Sequence, residues 1–189
     1  MEPMNKKLLQ LLNYEANNEW CSAFSGYKEL CSSVYSQEVA IHYAFFCWYL
    51  LWQWDEIIFP GETLSLSERI TADIRGGISK AELNTDLNRM TQQLLLDKKT
   101  PAKYIAVIVH MKRIYPYFFK ADVLSDEKAE ELLTQLEQIH CNDFVTMTIC
   151  AYQRNANVQV KTETEMHEIM DAFLPNSLIS SYFKWLFDR

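Results

Sequence analysis

Histidine and cysteine are the residue types in this chain best suited to metal binding or nucleophilic catalysis. None of the four histidines belongs to an H-E-x-x-H motif, and they lie far apart, at His42, His110, His140 and His167. His140 is followed by Cys141, but neighbouring residues of a helix point in different directions and chelate one metal poorly. We therefore expect no metal site. We interpret His42 as a hydrogen-bonded core residue, because an unpaired buried imidazole is costly.

A cysteine nucleophile is the next possibility, and Cys141 is the best placed of the five cysteines. It lies beside His140 and just before a helix start predicted at Asn142 or Asp143, and both a cation and a helix N-terminus activate thiols. The chain lacks G-x-S-x-G and the companion motifs that its S-x-x-K patterns would need. The odd number of cysteines and the absence of CxxC favour reduced thiols and a cytoplasmic protein. We expect neither enzyme activity nor a cofactor.

Pairs of carboxylates could act as a general acid and base where they share a helix face. Catalytic pairs normally lie in a cleft, whereas the polar neighbours of these pairs predict exposure to solvent. Surface charge is therefore the expected role. The pairs with helical spacing are Asp122 with Asp126, Glu127 with Glu131, and Glu168 with Asp171.

The net charge of −7 is unevenly distributed along the chain. Residues 61–120 hold 10 Lys/Arg and 6 Asp/Glu, whereas residues 121–189 hold 5 and 12. Basic residues between Lys98 and Lys120 alternate with aromatic ones, a pattern that can bind RNA. With a pI near 5.1, nucleic-acid binding is disfavoured, and the pattern fits buried aromatics with exposed lysines.

The acidic residues of the last third form the most suggestive surface. They fall in two predicted helices, and if these are neighbours they make a negative patch able to steer a basic protein partner. Aromatic residues of the same third, Tyr152, Phe173 and Trp185, could anchor that partner. The acids that we predict to bind it are Asp122, Asp126, Glu127, Glu130, Glu131, Glu137, Glu163, Glu165, Glu168 and Asp171.

A long apolar segment between Ser36 and Ile58 predicts the central element of the fold. From Val39 to Trp54 nearly every residue is apolar or aromatic, and a helix that is apolar all round must be buried. Its uninterrupted part, Tyr43 to Trp52, is too short for a membrane span, which needs about 20 such residues. We expect a buried core helix with charge on the outside of the protein.

Serine and threonine mark several helix starts. The capping-box pattern S/T-x-x-E begins at Ser65, Ser79 and Thr162, where it satisfies two backbone donors reciprocally. Ser125 begins another helix, and Ile139 is the last residue of its predicted buried stripe.

A further helix is predicted after Thr100-Pro101, which is typical of an N-cap followed by proline at the first helical position. The β-branched run Ile105–Val109 could form a strand instead. The helical spacing of apolar residues from Tyr104 onward favours the helix, which Pro116 should kink or end.

These signals give an all-α fold of about ten helices, because Gly and Pro are scarce and the connections are short. The polar stretch from Gln153 to Lys161 is interpreted as a loop. We expect a single domain over residues 1–189, with antiparallel αα-hairpins stacked, compactly or as an α-superhelix, around the buried helix 36–58.

One of these hairpins resembles a tetratricopeptide unit. Trp20 and Tyr27 are similar to the signature of the first helix of that repeat. Phe24 stands where the repeat has glycine, and Ser36 and Ala40 occupy its later alanine-type and aromatic positions. The resemblance covers one hairpin.

In size, acidity, helical content and lack of catalytic motifs, the chain resembles the small acidic immunity proteins that neutralise bacterial nuclease toxins. That resemblance implies that carboxylates mimicking phosphate cover the basic active site of a toxin. The first hypothesis is therefore a cytoplasmic inhibitor of a basic, nuclease-like toxin. The alternatives are a helical scaffold or adaptor and an enzyme with an unrecognised site near His140, Cys141 and the acids.

Overall fold

The computed structural model describes residues 3–33, 35–56, 77–154, 160 and 162–188. This part of the chain is all-helical and contains no strand, which confirms the predicted fold class. The helix predicted after Ser65 lies outside the described residues. The described α-helices are α1 Pro3–Ala16, α2 Trp20–Ser33, α3 Gln37–Glu56, α4 Lys80–Leu96, α5 Ala102–Ile114, α6 Asp126–Ile139, α7 Phe144–Gln153, α8 Glu163–Asp171 and α9 Leu178–Phe187, with a 3-10 helix at Pro116–Phe118.

The chain folds into two compact units. The N-terminal unit comprises Met1–Met90 together with Asn176–Leu178. The C-terminal unit comprises Thr91–Pro175 together with Ile179–Arg189. The single domain over residues 1–189 stays a prediction.

Helix α3 is buried along most of its length, as predicted. Tyr43 and Trp48 are both 0% exposed. The Tyr43 ring stacks on Tyr27 of α2 with centroids 5.1 Å apart, and Phe46 lies 6.1 Å from Trp20. Such aromatic pairs each add about 0.5–1.5 kcal/mol beyond the area that they bury. In the described ranges no helix has the length and apolarity needed to cross a bilayer.

The hairpin of α1 and α2 depends on one glycine. A Cβ atom added at Gly26 would lie 2.3 Å from Cδ2 of Leu11, so the two helices approach where α2 has no side chain. Leu11 and Leu30 are both buried in this unit. Close approach at glycine lets the apolar faces of a short hairpin meet.

In the C-terminal unit, α5 packs against both α6 and α7, and α6 packs against α7. The N-caps of α6, α7 and α8 agree with the sequence prediction. The hydroxyl of Ser125 accepts a hydrogen bond from the Lys128 N–H at 3.1 Å, and Thr162 and Glu165 form a complete capping box. At α7 the cap is Asp143, whose carboxylate accepts from the Thr146 N–H at 3.1 Å, which decides between the two residues proposed.

Three local predictions are wrong. Pro101, and not Thr100, is the N-cap of α5, because the Thr100 hydroxyl donates to the Leu94 carbonyl 2.7 Å away and completes the end of α4. Ile139 is 70% exposed, since α6 ends there and its buried side is formed by residues such as Leu133. Gln153 belongs to α7 and is buried, and its amide contacts Nδ1 of His110. The possible strand from Ile105 to Val109 is helical.

Candidate functional site

Two of the predicted partner-binding acids belong to an ion-pair network on α6. Glu130 accepts hydrogen bonds from Arg113 of α5, at 2.8 Å, and from Arg154 at the end of α7. Arg154 also binds Glu137, with both of its contacts at 3.1 Å. The hydrogen bond from Arg154 lowers the pKa of Glu130, and those to Glu137 and Glu130 raise the pKa of Arg154. The network joins α6 to the C-terminal ends of α5 and α7.

Asp126 and Glu165 also have contacts within the protein. The carboxylate of Asp126 lies 2.9 Å from Nζ of Lys112, whose side chain is only 7% exposed. Lys112 also donates to the Pro116 carbonyl, so it holds the start of α6 near the end of α5. Glu165 accepts a hydrogen bond from the Thr162 N–H at 3.0 Å. Glu165 thus has the capping role predicted from the sequence, whereas the ion pair of Asp126 was not predicted.

The other predicted acids are exposed to solvent in the C-terminal unit. Carboxylates at the surface of helices can accept charge-assisted hydrogen bonds from arginine or lysine of a partner. These exposed acids are Asp122, Glu127, Glu131, Glu163, Glu168 and Asp171.

Glu168 and Asp171 line an open depression of about 520 Å³ in the C-terminal unit. Asp143 and Lys103 are also part of its wall. Its residues come from the N-terminal ends of α5 and α7 and from the end of α8. Among the described residues of its wall, three carboxylates and one ammonium group give a negative balance. We call these three residues the α8 acids: Glu168 and Asp171 belong to α8, and Asp143, the N-cap of α7, lines the same depression.

Lys103, in the wall of this depression, already has a structural role. Nζ of Lys103 donates to the carbonyl of Ala172, which caps the C-terminal end of α8. It lies 5.6 Å from the ring centroid of Tyr104 and 5.8 Å from that of Phe173. A cation at a helix C-terminus complements the negative end of the helix dipole. The α8 acids thus face an ammonium group that is committed to α8 itself.

The two predicted groups of acids have different basic neighbours on α5. Lys112 and Arg113, near the C-terminal end of α5, contact α6, whereas Lys103 at the other end contacts α8. Lys103 and Lys112 are separated by about 14 Å along the helix, at about 1.5 Å per residue. The single patch that was expected if the acidic helices are neighbours stays a prediction.

His110 has a role that the sequence analysis missed. It is 0% exposed, and its two ring nitrogens contact Gln153, 2.5 Å from Nδ1, and the Tyr182 hydroxyl, 2.8 Å from Nε2. With the Gln153 amide donating to Nδ1, the neutral ring carries its proton on Nε2 and donates to Tyr182. Burial lowers the pKa of His110 from 6.5 to about 3. Both nitrogens are engaged, so the ring links α5, α7 and α9 and is not free to bind a metal.

The other histidines and Cys141 do not come together as a site. His167 contacts the Glu163 carbonyl of its own helix, 2.7 Å from Nδ1. Cys141 is exposed in the turn between α6 and α7, beside a half-buried His140. Within the described ranges, no group of three or more His, Cys, Asp or Glu side chains is arranged to hold a metal ion.

Two half-buried or buried thiols have raised pKa values that make them poor nucleophiles. Burial raises the pKa of Cys31 to about 11 and that of Cys150 to about 12. A thiol is reactive as the thiolate, which both residues disfavour at neutral pH. We therefore assign both cysteines to packing.

Buried polar groups also connect the helices of the N-terminal unit. The Tyr43 hydroxyl donates to Asp86 at 2.6 Å, and Asp86 accepts from Nη2 of Arg89 at 2.8 Å. The Tyr27 hydroxyl donates to Glu15, also at 2.6 Å. In the sequence, the tyrosines look like ordinary members of apolar helix faces, so only their position along those faces could have suggested these contacts.

Comparison with protein families, with curated proteins and with solved structures gives no match to this chain. Its function must be argued from its own residues.

Proposed function

We propose that this chain is a protein-binding module that inhibits a basic, nuclease-like toxin by covering it with an acidic surface. The observation that supports the proposal is the open depression in the C-terminal unit, which is lined by the α8 acids Asp143, Glu168 and Asp171. In this role the protein acts in the cytoplasm, without a cofactor and without enzyme activity.

The chemistry of the depression suits a basic side chain. Carboxylates form short, charge-assisted hydrogen bonds with guanidinium and ammonium groups, and two of them can hold an arginine bidentately. Glu168 and Asp171 are one helical turn apart on α8, so they can act on the same cation. An active site that binds nucleic-acid phosphates is rich in such cations. Carboxylates placed on a helix can therefore replace phosphates there.

Two exposed acids of α6 can also attract the basic partner. Glu127 and Glu131 are exposed and share a helix face, and the ion pairs of Glu130 fix the orientation of α6. Acidic areas of this kind accelerate encounter with a basic partner in a salt-dependent manner. We expect α6 to contribute to association and the α8 acids to contribute most to the lifetime of the complex.

The test uses a panel of purified, basic nuclease domains of bacterial toxins as candidate partners. Stoichiometric inhibition of plasmid cleavage, and binding that weakens as NaCl is raised, would support the proposal. Asp171→Lys should weaken binding at least tenfold, which corresponds to about 1.4 kcal/mol. Asp188→Lys is the matched control, because it makes the same change in net charge at an exposed residue outside the depression.

The proposal fails if cleavage continues at excess inhibitor, or if Asp171→Lys and Asp188→Lys weaken binding equally. Equal loss would mean that net charge alone, and not the depression, determines binding. Double reversal of Glu127 and Glu131 should mainly slow association, which stopped-flow measurements at low salt separate from dissociation.

A helical adaptor is the second candidate, and a groove in the N-terminal unit favours it. The groove lies between α1 and α2, has a volume of about 380 Å³ and includes Lys7, Ser25 and Gly26 in its wall. Weak binding of several peptides that is insensitive to salt would favour this role. Peptide binding that is lost on Ser25→Trp, at an exposed residue of the groove wall, and kept on Asp171→Lys would place the function in the groove.

A further inference from the structure

Glu15, near the end of α1, is a buried acid in the N-terminal unit that the proposed function does not use. It is 3% exposed. Its carboxylate accepts a hydrogen bond from the Tyr27 hydroxyl at 2.6 Å and another from the Leu178 N–H at 3.4 Å. The carboxylate therefore joins α1 and α2 to a segment that is 163 residues away in the sequence.

That segment, Asn176–Leu178, is a turn that leads into α9. Asn176–Leu178 groups with the N-terminal unit, and the Ser177 residue between them is 0% exposed. Asn176 has a φ of 62°, a left-handed conformation that asparagine tolerates and that turns the chain sharply. Leu178 is the first residue of α9, where an N–H has no acceptor within its own helix. Glu15 supplies that acceptor.

The surroundings of Glu15 favour its neutral form. The groups that act on its carboxyl are the Tyr27 phenol of α2 and the Leu178 amide at the start of α9. The pKa of the Tyr27 hydroxyl is raised by its burial, by Glu15 and, to a smaller extent, by the thiols of Cys31 and Cys47. Burial raises the pKa of Glu15 from 4.5 to about 7, and the two hydrogen bonds offset only part of that effect. The two hydrogen-bond donors orient the carboxyl, but its burial still disfavours the charged form.

Linkage gives the direction of the response to pH. A carboxyl whose pKa is higher when buried binds its proton more tightly in the buried arrangement than in the exposed one. Burial of Glu15 is therefore most favourable below pH 4.5, and it becomes less favourable as the pH rises to about 7. Above that pH, both arrangements are ionised and the difference stays constant.

We propose that Glu15 is a pH-responsive latch, formed with Tyr27, which holds residues 176–178 in the N-terminal unit while its carboxyl is protonated and releases them as it ionises. The latch needs no ligand, and its operation is separate from binding at the α8 acids. It makes attachment of the start of α9 tighter under mildly acidic conditions than at neutral pH.

Amide hydrogen exchange of the full chain, measured by NMR at pH 5 and pH 7.5, tests the latch. Protection of the Leu178 amide, corrected for the intrinsic exchange rate, should fall on the order of 100-fold between the two conditions. Glu15→Gln keeps the shape of the side chain and cannot ionise, so its protection should not depend on pH. Glu19→Gln, at an exposed glutamate nearby, is the matched control and should behave like the unaltered protein.

Protection that is equal at the two pH values in the unaltered protein would overturn the proposal, as would the same loss of protection in Glu15→Gln. If Glu15→Gln does not fold, a ¹³C-carboxyl NMR titration of the unaltered protein decides. Titration of Glu15 near neutrality supports the latch, and titration near pH 4.5, the range of an exposed glutamate, overturns it.

Discussion

The N-terminal unit contains a buried acid, Glu15, and the C-terminal unit contains a buried base, His110. Each contacts a tyrosine hydroxyl, Tyr27 in the first case and Tyr182 in the second. Burial raises the pKa of Glu15 to about 7 and lowers that of His110 to about 3. The same loss of hydration acts on both, because it always disfavours the charged form. Of these two groups, Glu15 is therefore brought into the neutral range and His110 is moved out of it.

The largest change in stability is expected from removal of the His110 imidazole. His110→Ala should lower the free energy of unfolding by about 3–5 kcal/mol, because it leaves a cavity and deprives Gln153 and Tyr182 of a hydrogen-bond partner. Urea unfolding followed by circular dichroism at pH 7 measures the loss. His167→Ala, at an exposed residue, is the control and should stay within about 0.5 kcal/mol. A loss below about 1 kcal/mol for His110→Ala would contradict the structural role of this residue.

The next effect should be a gain in stability that depends on pH, on replacement of Glu15. Glu15→Gln should stabilise the protein by about 2–3 kcal/mol at pH 8, where the unaltered protein keeps an ionised carboxylate buried, and by almost nothing at pH 4. The measurement is urea unfolding of both proteins from pH 4 to pH 8. Equal stabilisation at every pH would show that amide packing, and not ionisation, distinguishes the two side chains.

Acidification should lower the stability contribution of His110, whereas it raises that of Glu15. Because the pKa of His110 falls from 6.5 to about 3 on folding, the unfolded chain binds the extra proton between these values. Its contribution to stability is complete above pH 6.5 and is lost as the pH falls towards 3. In His110→Gln this acid-dependent loss should be smaller by about 3 kcal/mol at pH 4. The same unfolding series detects it, and an unchanged slope would contradict the comparison.

The smallest effects are expected from the two tyrosine hydroxyls. Tyr27→Phe and Tyr182→Phe should each cost about 1–2 kcal/mol, the usual loss for a buried hydrogen bond whose partner stays behind. Tyr27→Phe should also raise the pKa of Glu15 further, since the lost hydrogen bond lowers it. Tyr182→Phe should leave the pKa of His110 low, because burial is the cause. NMR titration of both residues compares these outcomes.

Much of the helical framework could be predicted from local sequence. The capping box at Thr162 and the N-cap at Ser125 were correct because each depends on residues within one helical turn. The burial of α3 followed from its composition, since a helix that is apolar all round has no side that prefers water. Thr100 was misassigned because its hydroxyl bonds back to the preceding helix, a choice that the Thr-Pro pattern does not reveal.

The candidate surface was harder to predict. The ten acids were identified by charge and helix position, which do not show which carboxylates meet an arginine from another helix. Glu130 and Glu137 looked like Glu127 and Glu131, yet Arg113 and Arg154 bind the first two. Asp143 was predicted as a helix cap, and its place beside Glu168 and Asp171 depends on the packing of α7 near α8.

Local sequence patterns were sufficient to predict the described helices of the core, many of their starts and the burial of α3, because backbone capping and hydrophobic periodicity act over a few residues. The burial of His110 and Glu15 beside tyrosines, and the contact of residues 176–178 with α1, could be seen only in the folded chain. These features depend on contacts between distant residues, and the hydration lost at such contacts sets the charge of each group.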